Sequence, residues 1–158
     1  MMGKGRVGLA VFALLVGGAL PLRGQILIAS GQRDLTFGTI FPGVPEVVRR
    51  TDATSGRFNL RGQRRLEVRI VLTLPVVMTR TTGGNTLPIA FGAADGGFNR
   101  QNNVGTSQVF DPRAPLVTRL GNNGRLFIWL GGTAMPSSTQ RSGIYQATIT
   151  LTAAYTGN

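Results

Sequence analysis

Six carboxylates, Asp34, Glu46, Asp52, Glu67, Asp95 and Asp111, make up the acid–base inventory of this 158-residue chain, which contains no histidine and no cysteine. Imidazole and thiolate nucleophile–base pairs are therefore ruled out, as are nitrogen–sulfur metal sites. A hydrolase working with two carboxylates is formally possible, since two acids can suffice. The positions argue against it. Asp34, Asp52, Asp95 and Asp111 stand in or beside turn sequences, where aspartate ordinarily hydrogen-bonds the local backbone. Glu67 lies between Arg65 and Arg69 on one strand face and reads more simply as half of a surface ion pair than as a general acid. The glycine-rich segments lack the lysine and following serine or threonine of a phosphate loop. The expectation is a non-enzymatic protein with no catalytic residues, no metal and no cofactor.

The rest of the charge is cationic: 17 Lys and Arg face 6 acids, a net charge of +11. Arg57, Arg61, Arg64, Arg65 and Arg69 fall within a short stretch around one predicted strand pair, with Arg49 and Arg50 just before them. Guanidinium groups grip phosphate and carboxylate bidentately. Such a face would attract polyanions outside the cell, such as lipopolysaccharide, acidic exopolysaccharide or extracellular DNA. No nucleic-acid-binding motif accompanies these arginines and aromatics among them are sparse, so specific nucleic-acid recognition is not expected. A solvated strand face is the simpler account of the same residues.

What positions these groups begins at the N-terminus. Lys4 and Arg6 precede an apolar run over residues 7–20, which is shorter than the roughly twenty residues a membrane-spanning helix needs. The pattern reads as a secretory signal over residues 1–24, with cleavage after Gly24, or alternatively after Ala19 or Ala29. The competing reading is an uncleaved N-terminal anchor. Removal of residues 1–24 takes Lys4, Arg6 and Arg23 away, which leaves fourteen cations, all arginine, and lowers the net charge from +11 to +8. Residues 25–158 suit one domain. Without cysteine it must be held by its core rather than by disulfides.

The domain reads as strands and turns with no amphipathic helix. Tyr145, Ala147, Ile149, Leu151, Ala153 and Tyr155 alternate with polar or small residues, the two-residue period of a long strand with one face in a core. Leu66, Val68, Ile70, Leu72 and Leu74 repeat the pattern, and Pro75 bends or ends that strand. Leu35, Phe37, Thr39 and Phe41 form a shorter inward set, and further short strands are expected around Phe58 and Leu60 and over residues 87–91, 108–110, 116–120 and 125–130. Gly83-Gly84-Asn85, Asp95-Gly96-Gly97 and Gly121-Asn122-Asn123-Gly124 supply turn residues. Residues 92–106, polar and rich in glycine, read as a mobile surface loop. Many short strands separated by turns predict an antiparallel sandwich or barrel.

Within residues 125–130, Leu126, Ile128 and Leu130 face the core. Phe127 and Trp129 then point to the outer sheet face, either covered by the glycine-rich loop or exposed as a subunit contact with Trp129 as its anchor.

The Asp34–Ile40 stretch followed by Pro42-Gly43, the Gly56-x-Phe58-x-Leu60-x-Gly62 pattern, Leu72-Thr73-Leu74-Pro75 and the closing strand from Ser142-Gly143-Ile144-Tyr145 to Tyr155 together resemble the secreted bacterial domain of unknown function 4402 family. That family is similar to spore coat protein U and, more distantly, to subunits of chaperone–usher pili. The resemblance implies an immunoglobulin-like, pilin-like β-sandwich made for export and assembly. It also implies self-association into a homopolymer by donation of a strand, with a periplasmic chaperone and an outer-membrane usher as partners. The missing cysteines depart from the many pilus subunits that carry a disulfide, and Tyr155 stands farther from the chain end than their final tyrosine.

An incomplete sandwich exposes an apolar groove that an extended segment can fill while its backbone completes the ladder. The candidate donor is Gln25, Ile26, Leu27, Ile28 and Ala29, with Ile26 and Ile28 as plugs; the same residues could instead be the first strand of their own domain. The expected function is a secreted structural subunit of an extracellular filament, pilus-like fibre or surface coat, assembling by strand complementation or by sheet-edge pairing. The alternative is a monomeric exported binding module or adhesin whose arginine face holds surface polyanions.

Overall fold

The computed structural model describes residues 3–11 and 25–157. Fourteen strands and one 3-10 turn make up its regular structure. In chain order they are β1 (Gly3–Val11), β2 (Ile28–Arg33), β3 (Thr36–Ile40), β4 (Glu46–Val48), β5 (Gly56–Arg61), β6 (Glu67–Thr73), β7 (Val77–Arg80), β8 (Thr86–Ala90), β9 (Gly96–Asn99), β10 (Gln108–Phe110), β11 (Leu116–Arg119), β12 (Arg125–Leu130), β13 (Gly132–Ala134) and β14 (Ile144–Tyr155). The 3-10 turn, Val104–Thr106, lies between β9 and β10. The fold is an all-β sandwich. One sheet runs β10-β9-β12-β5-β2; the other runs β11-β6-β14-β7-β8-β13-β4, with β1 and β3 attached beside β14.

Two-residue alternation builds the core. Phe58 and Leu60 of β5 and Leu126, Ile128 and Leu130 of β12 face across to Val68, Ile70 and Leu72 of β6 and to Tyr145, Ile149 and Leu151 of β14. The sheets are joined because each surrenders its apolar face to the other. The long closing strand β14 needs two partners on one edge: Thr150–Tyr155 pairs with β6, while Tyr145 and Gln146 pair with β7. Pro75, between β6 and β7, bends the chain so that both lie against the same strand.

Three expectations change. The inward set in and beside β3 is Leu35, Phe37 and Ile40, not Thr39 and Phe41; Phe41 is exposed. The cause is Gly38 at φ 70, where the pairing of β3 with β1 slips by one residue, since a bulge reverses the alternation beyond it. Residues 92–106 are not simply a loop, because they contain β9, which is paired on both edges by β12 and β10. Its glycines serve close approach: a Cβ on Gly97 would meet Arg50 Cδ at 2.8 Å and Ser107 Oγ at 3.1 Å. Finally, β5 and β6 belong to opposite sheets rather than to one strand pair.

The turn carboxylates hold backbone. Asp52 accepts from the Arg49 N–H at 2.7 Å and Asp95 from the Gly92 N–H at 2.6 Å. Asp111 accepts from the Arg113 backbone and, bidentately, from its guanidinium at 2.9 and 2.8 Å. The Arg113 hydrogen bonds pull the Asp111 carboxyl down to about 2. Because the folded value lies below the unfolded one, the pair is intact above the ordinary aspartate range and is lost only as pH falls through about 2. A carboxyl-carbon NMR titration should place Asp111 there, and Arg113→Ala should return it toward the ordinary range; an Asp111 midpoint near the ordinary value in the unaltered protein would contradict the pairing.

Candidate functional site

The sheet carrying β14 is completed by the first strand. Residues Lys4 to Val11 run parallel to β14, in register from Lys4↔Ile144 to Val11↔Leu151. On its other edge the same strand pairs antiparallel with β3, from Gly3↔Ile40 to Arg6↔Thr36. β1 therefore occupies a slot whose two walls are the edges of β3 and β14. β14 and β3 form no ladder with each other; β1 is the bridge between them. Residues 12–24, the remainder of the proposed secretory signal, lie outside the described residues.

The candidate donor lies elsewhere. Leu27 is buried in this domain's own core, whereas Ile26 and Ile28, the two proposed plugs, are exposed. From Ile28 onward the chain pairs with β5 of its own domain. The Tyr155 hydroxyl fixes the approach, donating to the Ile26 carbonyl at 3.3 Å and accepting from the Gln63 N–H at 2.7 Å. Of the C-terminal core face, Tyr145, Ile149, Leu151 and Ala153 are buried, and Ala147 and Tyr155 are half-buried.

Phe127 and Trp129 stack with ring centroids 6.2 Å apart and are only 7% and 3% exposed. Trp129 sits between Gly97 and Arg57 across the ladder, and Arg57 donates to Asn102 Oδ1 at 3.3 Å. The following segment is held by its own bonds, with Asn99 Nδ2 donating to Asn103 O and Thr106 Oγ1. Phe127 and Trp129 themselves therefore present no open aromatic patch.

The proposed five-arginine face is divided. Arg57 and Arg61 project from the outer side of β5, and Arg69 projects from the outer side of β6 in the opposite sheet; Arg64 and Arg65 lie in the turn between them. Beside Arg57, burial first and then repulsion from Arg57 lower the Arg33 guanidinium below its ordinary value. Glu67 does not pair with Arg65 or Arg69; its carboxylate accepts from Thr156 Oγ1 at 2.8 Å. Among the described residues the one ion pair is Asp111–Arg113.

A different grouping of arginines forms at one end of the sandwich. Arg65, Arg100 and Arg119 line a cleft of about 540 Å³ with Gln101, Asn122 and Asn123, and no acid is in the lining. Three distant segments meet there: the turn before β6, the residue after β9 and the end of β11. Arg65 donates through Nε to Asn122 Oδ1 at 2.9 Å, and Arg100 through Nε to the Arg119 carbonyl at 3.0 Å. Arg65 is also the one non-glycine residue at positive φ among the described residues, at 63°. That conformation costs roughly 1–2 kcal/mol outside glycine. This cleft escaped the sequence reading because Arg100 and Arg119 are separated from Arg65 by tens of residues.

No helix of the described residues is long and apolar enough to cross a membrane, and no three or more His, Cys, Asp or Glu side chains among them are grouped so as to hold a metal ion. Compared with known protein families and with curated proteins, the sequence matches none.

Proposed function

We propose that this chain is an exported, non-enzymatic structural subunit of an extracellular filament, pilus-like fibre or surface coat, whose copies join by completing the sheet at the slot between β3 and β14. The observation that carries the reading is the two-sided pairing of residues 3–11 inside that slot. If those residues leave with a cleaved secretory signal, β14 loses its partner on one edge along Ile144 to Leu151, keeping β6 and β7 on the other, and β3 loses its own. Backbone groups left without partners on two facing edges favour capture of an extended segment from another chain. During export that segment would come from a periplasmic chaperone, and at an outer-membrane usher from the next subunit, as the family resemblance implies.

Pairing at the outer sheet edges is the weaker route. Three of those edges are short, with three residues each in β4 and β10 and four in β11. Short edge strands are a common protection against lateral association. For the Gln25 to Ala29 segment to donate, it would have to leave its own domain, where Ile28 and Ala29 pair with β5 and Leu27 lies in the core.

The test uses protein recovered from the culture medium, with its N-terminus determined by mass spectrometry and its size by light scattering. Processed protein should begin after the leader and form oligomers that persist in about 1 M salt, where charge interactions beyond about 3 Å are screened. A synthetic peptide spanning residues 3–11 should occupy the slot and convert oligomers to monomers. A processed monomer that ignores the peptide would refute the reading.

A further inference from the structure

We infer that the cleft lined by Arg65, Arg100 and Arg119 binds an anionic saccharide, a sugar unit bearing a sulfate, phosphate or carboxylate group. The site is distinct from the slot and stands whether or not copies assemble there. Like charges gathered from three segments repel one another, and no carboxylate in the lining offsets them. Glu67, opposite Arg119 across the β6–β11 ladder, is the nearest candidate in register, but its carboxylate is held by Thr156 and forms no ion pair.

The guanidinium groups are also oriented. Arg65 and Arg100 are each anchored through Nε, to Asn122 Oδ1 and to the Arg119 carbonyl, which leaves the two terminal nitrogens of each fork to meet an oxyanion bidentately. Arg65 holds its place in a backbone conformation that glycine or asparagine would adopt more readily. Strain retained at a cation, in a cleft already crowded with cations, points to a ligand rather than to stability.

The remaining lining selects the ligand class. Gln101, Asn122 and Asn123 offer amides suited to sugar hydroxyls, and the volume of about 540 Å³ falls within the usual small-molecule range of about 300–1,000 Å³. No aromatic side chain lines the cleft, so it offers nothing on which nucleobases could stack.

The experiment is calorimetric titration of the full chain with a sulfated tetrasaccharide, an oligogalacturonate, a neutral dextran fragment and a single-stranded oligonucleotide. At least one of the two anionic saccharides should bind better than the oligonucleotide, and dextran should not bind. Arg100→Gln and Arg119→Gln should each weaken binding by about tenfold or more, the scale of a lost charge-assisted contact. The paired control Arg61→Gln with Arg69→Gln removes two charges outside the cleft and should change it by less than about threefold. Arg65→Gly provides the readout a structural role would not give: it should raise the melting temperature by relieving the backbone while lowering saccharide affinity. Circular dichroism verifies folding, and Arg119→Lys replaces Arg119→Gln if the latter is misfolded. Equal losses in control and cleft variants, or an oligonucleotide that binds as well as the best saccharide, would overturn the inference.

Discussion

Tyr145→Ala is expected to destabilise the domain by about 3–5 kcal/mol, the usual cost of deleting a large buried aromatic. Tyr145 is fully buried at the start of β14, and its ring is part of the shared core of both sheets. Its hydroxyl is satisfied twice, donating to the Arg141 carbonyl at 2.6 Å and accepting from Gln140 Nε2 at 2.7 Å. The same Gln140 nitrogen reaches the Thr86 carbonyl at 3.1 Å, so one ring ties β14, β8 and the loop between β13 and β14 together. Tyr145→Phe keeps the packing and removes only the hydroxyl, so it should cost about 1–2 kcal/mol. Guanidinium denaturation of the full chain measures both. A total stability of about 5–15 kcal/mol makes the alanine variant marginal and leaves the phenylalanine variant folded. Equal losses in the two would place the stabilisation in the hydrogen bonds rather than in the core.

Gly131→Ala should be of similar severity for a different reason. Gly131 lies where the chain leaves β12 in one sheet for β13 in the other. A Cβ there would press on the Val48 carbonyl oxygen and lie 2.8 Å from the Arg50 nitrogen and 2.9 Å from the Arg49 carbonyl carbon. All three are backbone atoms, so no side chain can rotate aside. Separating the two chain segments should also stretch the Gly131 N–H to Asp95 carbonyl bond, now 2.8 Å. The expected loss is about 3 kcal/mol, at the upper end for an overpacked site. Gly105→Ala, at an exposed glycine of ordinary φ whose Cβ would meet only the Asn103 side chain, should stay within about 1 kcal/mol of the parent. Thermal unfolding of the three proteins side by side checks the contrast, and a Gly131→Ala protein that melts with its parent would show that the crossover is not tightly packed.

The sequence revealed those strands whose periodicity is strong and uninterrupted. The inward sets Val68, Ile70 and Leu72 and Tyr145, Ile149 and Leu151 could be read directly because each residue faces the same core in both sequence and structure. Gly38 marks the first failure: one left-handed residue inverts the alternation, and Ile40 takes the inward place assigned to Thr39 and Phe41. β9 was hidden for a related reason. Its glycines serve close approach to Arg50, Ser107 and Phe110, and in sequence that use looks the same as flexibility.

The functional surfaces were less legible because they depend on which sheet each strand joins. Arginines close in sequence, Arg57 and Arg69, lie on opposite outer faces. Arginines far apart, Arg65, Arg100 and Arg119, share one cleft. Periodicity gives the face of a strand and carries no information on its neighbours. The slot between β3 and β14 depends on pairings that periodicity does not carry, and Leu27, placed among the candidate donor residues, is buried in this domain's own core.

The parallel course of β1 along β14 gives the slot a direction. Its walls and its occupant are unlike surfaces, so a contact made there is not self-complementary and does not close by two-fold symmetry. Any array propagated through it would have distinct head and tail ends and would keep one end able to accept another copy. Its length would then be limited by supply or by a terminating partner, not by the geometry of the joint.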